Sequence, residues 1–159
     1  MRRVREEVGC GRGRVGSTRW SADPFAYARV IAPPRHVEST RVAWVDTDAG
    51  GRIHFPAAFR WAEQAETGLI RSLGLLDDWA DYPRRSVEAE YLAVLRFEDE
   101  LEVELMAAHV GTTSITYAWE IRRADELCIQ GRHTVVHVDG EGRPAPLPAA
   151  VRRALSDDD

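Results

Sequence analysis

At 159 residues, with 44% hydrophobic and 30% charged side chains, the chain suffices for one domain with a sizeable core. No stretch approaches the roughly 18 consecutive apolar residues of a membrane span. Residues 1–35 hold eight Arg against three acids, whereas residues 36–159 hold 13 Arg against 23 acids, so the folded part is acidic. Phosphate neutralisation supplies most non-specific nucleic-acid affinity, so nucleic acid is excluded as a partner, and membrane with it. All 21 basic residues are Arg and the chain has no Asn, which reads as the coding bias of a GC-rich genome rather than as chemistry.

Residues 1–35 are Gly/Arg-rich and end in Ala32-Pro33-Pro34, a composition that cannot bury enough apolar area to offset the entropy of ordering. They read as a disordered extension ahead of a single domain over 36–155, and they lack the apolar core of a secretory signal. A chain shortened to begin near Pro34 is therefore expected to stay soluble and keep its activity. Loss of either on truncation would show that the leader packs on the domain. Cys10 and Cys128 form no disulfide framework, which suits a reducing cytoplasm. No zinc spacing exists, since His133 and His137 on one strand stand about 13 Å apart, and neither metal nor cofactor is expected.

In chain order, His36–Asp46 has the β-branched and aromatic content of a strand. Pro56–Leu73 reads as a helix, with Phe59, Ala62, Leu69 and Leu73 on one stripe and Gly74 as its stop. A turn-rich connection, LLDDWADYP, leads to a strand over Arg84–Phe97. Next comes Glu100–Ala107, where Leu101, Val103, Leu105 and Ala107 alternate with Glu100, Glu102, Glu104 and Met106, predicting one buried and one wet face. Ile115–Ile121 and Leu127–Val138 complete the set. One strand, one helix and four antiparallel strands make an α+β domain in which a curved sheet wraps a central helix, the hotdog arrangement.

The segment that carries chemistry is VDTDAGGRIHFPAAFRWAEQAE, residues 45–66. Asp46, Thr47 and Asp48 end the first strand, Gly50 and Gly51 let the backbone turn and approach a ligand, and Pro56 opens the helix. A carboxylate thus lies near unpaired helix N–H groups and the positive end of the helix dipole, which together favour developing negative charge. Pro56 has no N–H, so Phe55 supplies the last free donor before the helix. Such a sparse site suits thioesters better than amides: a thiol with a pKa near roughly 8.5 leaves without a dedicated acid, whereas an amine must be protonated. No G-x-S-x-G occurs, and no Ser or Cys sits beside a His as a nucleophile would.

This segment resembles the D-x-D-x-x-G signature and following helix of the 4-hydroxybenzoyl-CoA thioesterase family of hotdog acyl-CoA thioesterases. VEAEYLAVLRFEDELEVE resembles the family's second and third strands, and HVGTTSITYAWEI its next hairpin, so the likeness spans about residues 38–150. It implies an acyl-CoA thioester hydrolase with Asp48 as nucleophile or general base, Phe55 as the backbone oxyanion donor and Gly51 as the motif glycine beside the bound carbonyl. Asp46 matches the first motif acid and reads as a residue that shapes the turn. His54 either orients substrate and assists the leaving group or is a packed histidine. Glu63 and Glu66 occupy helix positions where a sister branch keeps a catalytic acid, and otherwise orient neighbours or serve an interface.

Trp61, Trp79 and Tyr82 either wall an acyl pocket or belong to the core. Arg84, Arg85 and Arg132 are the candidates to meet the phosphates of coenzyme A, since Arg matches phosphate bidentately. Thr112, Thr113 and Ser114 lie in a hairpin that the family places near the site. The resemblance also implies a homodimer or homotetramer, with pockets between subunits and acyl-CoA, or else acyl carrier protein, as the substrate carrier. Two other readings stay open. A hotdog dehydratase would share the His54-Phe55-Pro56 segment, but its catalytic Glu is expected fourteen residues after the His, where this chain has Gly68. A non-catalytic acyl-thioester binding module is the second.

Overall fold

The computed structural model describes residues 33–79 and 81–156; most of the leader, including Cys10, lies outside them. Five strands form one antiparallel sheet: β1 (Arg35–Arg41), β2 (Arg84–Tyr91), β3 (Glu100–Val110), β4 (Ser114–Arg123) and β5 (Glu126–Val136), in the spatial order β1-β3-β4-β5-β2. Helix α1 (Ala57–Ser72) packs against the sheet, and a short α2 (Ala149–Leu155) follows the last strand. The hotdog arrangement expected from the order of elements is the one observed.

The alternation in β3, β4 and β5 sets the core. Val103 and Leu105 pair with Ile121 and Trp119 of β4, and with Leu101, Ile115 and Tyr117 they point to one face and are all buried. From α1 they meet Trp61, Ala62, Ala65 and Leu69, so Trp61 belongs to the core. Gly131 lets the Trp119 ring lie flat across β5, because a Cβ there would run into that ring and come within 2.6 Å of the Glu88 carbonyl oxygen. At the end of α1, Gly74 adopts φ +71 and the Leu75 N–H returns to the Ile70 carbonyl, the left-handed stop that its position predicts.

Four expectations need correction. The first strand ends at Arg41 instead of reaching Asp46, because polar side chains take over the backbone: Asp46 Oδ2 accepts the Ala43 N–H at 3.0 Å, Thr47 Oγ1 donates to the Trp44 carbonyl at 2.8 Å, and a 3-10 turn forms over Trp44–Asp46. β2 ends at Tyr91 and not at Phe97, since the next two N–H groups, of Leu92 and Ala93, share the single Cys128 carbonyl and break the ladder. Met106 is not on a wet face; it pairs with Ala118, and the two are buried together among charged neighbours. Helix α2 escapes the sequence pattern because it has fewer than two full turns and follows a Pro-rich run, yet Val151 and Leu155 reach the core.

β2 is the open edge. Seven of its eight residues are exposed, and α1 packs on β1 and β3 but meets β2 through the Arg84 ion pairs, so Val87 and Tyr91 on the inner face remain 48% and 42% exposed.

Candidate active site

The segment between β1 and α1 folds into a tight loop that is cross-linked at every step. Thr47 and Ile53 form an isolated antiparallel bridge, the Asp48 N–H donates to the Arg52 carbonyl at 2.8 Å, and the His54 N–H donates to the Asp46 carbonyl at 2.7 Å. The loop is tied to the rest of the domain by the Ile53 N–H, which donates to the carbonyl of fully buried Leu95. A floppy Gly-rich stretch becomes a fixed platform.

Asp48 sits at the exposed tip. Its Oδ1 accepts the Gly50 N–H at 2.7 Å in an Asx turn, and its carbonyl accepts the Gly51 N–H at 3.0 Å. The turn holds the carboxylate by Oδ1, and Oδ2 has no hydrogen-bond partner among the described residues. Gly51 is favoured here by its φ of +69 and not by crowding, since among the described residues no atom lies within 4 Å of an added Cβ.

Asp46 has the other role. It is buried, and its two oxygens receive the Ala43 N–H and an ion pair from Arg60 on α1, which locks the loop to the first turn of the helix. Arg60 had no sequence signal beyond its place on the helix.

Phe55 precedes the helix with its side chain 61% exposed, and its N–H has no hydrogen-bond partner among the described residues. Pro56 follows with φ −67, ready for the helix but without a donor. The free N–H of Phe55 and the free oxygen of Asp48 therefore belong to one rigid loop at the positive end of α1. His54 is exposed, with its ring edge-on to Phe55 at 5.3 Å and its carbonyl accepting the Ala57 N–H.

The structure does not bring the other candidates to this loop within one chain. Pairing of Arg41 with Glu100 and of Arg35 with Met106 puts the loop at one end of the sheet and the β3–β4 hairpin, with Thr112, Thr113 and Ser114, at the other. Arg84 and Arg85 open β2 at that far end, about 23 Å from Tyr91 at 3.3 Å per residue. Arg84 Nη1 lies 2.5 Å from Glu66 Oε2, and Arg132 lies 2.9 Å from Glu88. Arg85 is exposed. Trp79 stacks on Tyr82 at 4.3 Å, also at that end, and Tyr82 is buried.

Glu66 is the largest surprise. It is 1% exposed, and the His133 Nε2 lies 2.7 Å from its Oε2, beside Arg84. Its Oε1 and the Tyr117 hydroxyl have no hydrogen-bond partner among the described residues. Burial first, and then the Glu66 carboxylate, pushes the Tyr117 phenol far above its ordinary value. Glu66 is therefore part of a buried polar cluster under the second half of α1, away from the loop of Asp48, while Glu63 is exposed on the helix and 3.5 Å from Arg84. Period-two alternation along β5 puts His133 on the inner face with Val135, a signal that could have found it, whereas His133 was weighed only as a metal ligand.

Comparison with known proteins agrees with the fold and shows the family. Over 118 residues the chain is 27% identical to the acyl-CoA thioester hydrolase YbgC of Escherichia coli O6:H1, covering 70% of this chain and 88% of that protein. Its fold matches the 1,4-dihydroxy-2-naphthoyl-CoA thioesterase Slr0204 of Synechocystis with a TM-score of 0.71 at 21% identity, over 78% of this chain and 97% of that one. A thioesterase of Thermus thermophilus, solved with coenzyme A and Zn, matches with a TM-score of 0.69 at 24% identity, over 77% and 92%. The profile of the thioesterase-like superfamily covers residues 42–155, which begins just ahead of the Asp46–Pro56 loop and ends with α2. The chain belongs to the thioesterase-like superfamily.

Proposed function

We propose that this protein hydrolyses acyl-CoA thioesters, with Asp48 as nucleophile or general base and the Phe55 N–H as oxyanion donor. One observation carries the reading: a single cross-linked loop presents a carboxylate oxygen and an unpaired backbone N–H at the start of a helix. The donor stabilises the negative charge that builds on the thioester oxygen, and the helix dipole adds to it. Asp48 then either attacks the carbonyl carbon through Oδ2, forming an anhydride that water opens, or takes a proton from the attacking water. Either route expels coenzyme A as a thiolate. The named activity of the YbgC relative supports the substrate class. Screening the purified protein for thiol release from aryl-, short- and long-chain acyl-CoA tests it: thiol is expected from at least one class. Binding without release would favour the acyl-thioester binding module instead.

The working unit in this reading is a homodimer or homotetramer in the cytoplasm. An exposed edge strand offers unpaired N–H and C=O groups to a second strand, and α1 leaves Val87 and Tyr91 on the inner face of β2 exposed. Two copies paired antiparallel along β2 bring the Arg84–Arg85 end of one strand beside the Tyr91 end of the other. Arg85 and Arg132 then reach the coenzyme A phosphates of the neighbouring site, while Arg84 stays on Glu66. Sedimentation equilibrium at micromolar concentration is expected to give the mass of two or four chains, and a fully active monomer would overturn the shared site. Among the described residues no helix is long and apolar enough to cross a membrane.

A further inference from the structure

Phe55 is oddly unsupported for a residue whose N–H must be aimed. Its N–H is unpaired among the described residues, and its carbonyl takes no part in the helix ladder: the Ala57 N–H goes to His54, and the N–H groups of Phe59 and Arg60 both go to Pro56. Its side chain is mostly exposed, and its ring meets the equally exposed His54 ring edge-on. The bond that fixes it comes from another element. The Tyr91 hydroxyl donates to the Phe55 carbonyl at 2.6 Å.

Tyr91 is well placed to act as an anchor. It is the last residue of β2 and pairs with Ile129 of β5, which is fully buried, so its backbone is fixed by the sheet. By the alternation of β2 it shares the inner face with Val87 and Ala89, which directs its side chain toward α1 and the loop. Partial burial raises the phenol pKa, so the hydroxyl keeps its proton and remains a donor. Held at its carbonyl, Phe55 has less freedom to turn about its own backbone bonds, and the direction of its N–H is restricted with it.

We infer that Tyr91 is a positioning residue for thioester hydrolysis: its hydroxyl holds Phe55 so that the N–H points at the thioester oxygen. This rests on the reading of Phe55 as oxyanion donor. A donor whose bond to the oxygen strengthens as charge builds there stabilises the transition state more than the bound substrate, so its misplacement lowers kcat and changes KM little.

Tyr91→Phe keeps the ring and removes the hydroxyl. With the acyl-CoA turned over fastest in the thiol-release screen, kcat is expected to fall about tenfold, a fraction of the roughly 100- to 1000-fold loss typical of removing a donor outright. KM should stay within about twofold and the unfolding midpoint should not move. A spectroscopic measurement separates aim from packing. With the same acyl-CoA carrying a 13C-labelled carbonyl and bound to Asp48→Asn, the carbonyl stretch should rise in frequency when Tyr91→Phe is added, because a less well-aimed donor polarises the bond less. Unchanged kcat or an unchanged stretch would overturn the inference, as would a kcat loss accompanied by a lower unfolding midpoint. Wild-type protein that releases no thiol from any acyl-CoA overturns the hydrolase reading itself and takes this one with it, whereas an active wild type with a fully active Tyr91→Phe overturns the role of Tyr91 alone.

Discussion

Replacing Asp48 with Asn is expected to lower thioester turnover by on the order of 100-fold or more, about 2.7 kcal/mol of barrier, whether the carboxylate serves as nucleophile or as base. The substitution is a clean one at this position. Asparagine keeps a carbonyl oxygen in place of Oδ1, so it can still accept the Gly50 N–H and preserve the Asx turn. What it loses is the negative charge and the basic lone pair at Oδ2. Thiol release at saturating acyl-CoA measures the loss, and near-normal turnover would remove Asp48 from the mechanism. Asp46→Asn provides the contrast: it also keeps an acceptor for the Ala43 N–H but gives up the charge that faces Arg60, so a much smaller effect on turnover is expected.

The largest expected effect on stability belongs to Glu66. Truncation to Ala leaves His133 without its carboxylate in a site where both residues are buried, and it opens a void beneath α1. Leaving a buried hydrogen-bonding group unsatisfied costs about 1–3 kcal/mol and the void at least about 2 kcal/mol more, a large part of the roughly 5–15 kcal/mol that holds a domain folded. Arg84 softens the blow, since its side chain is one-third exposed and already near Glu63. Among the described residues His133 has no such alternative. Glu66→Gln keeps an acceptor for the imidazole and is expected to cost less, about 1–3 kcal/mol. Urea denaturation followed by tryptophan fluorescence measures both, and an alanine variant as stable as the parent would show that the cluster contributes nothing net.

Elements whose residues obey one rule were legible in the sequence. Helix α1 announces itself by its stripe, its opening Pro56 and its closing Gly74, and strands β3 and β4 by an alternation that Met106 interrupts. The loop of Asp48 was legible as a place because acids, glycines and a proline occur together there. Its internal bonding was not: the side chains of Asp46 and Thr47 compete with the strand, and apolar Trp44 and Val45 end up exposed despite their β propensity. Long-range polar contacts were the least legible. Nothing local in the sequence joins Tyr91 to Phe55, Arg60 to Asp46 or His133 to Glu66, pairings that exist only once the sheet has brought distant segments together.

The strand order has a consequence for how the molecule comes into being. The three central strands, β3 to β5, are neighbours in sequence joined by short turns, so they can form a meander from local contacts alone. The two earliest strands must wait: β1 pairs with a segment some 60 residues later, and β2 with the last strand made. Contacts of high sequence separation close slowly, because the entropy of the intervening loop is lost before they form. The Asp46–Pro56 loop leaves β1, and Tyr91, whose hydroxyl bonds to the Phe55 carbonyl, ends β2, so both hang on the two edges that dock last. On the ribosome this loop and Tyr91 emerge ahead of the meander, but they gain their geometry only after β5 is complete.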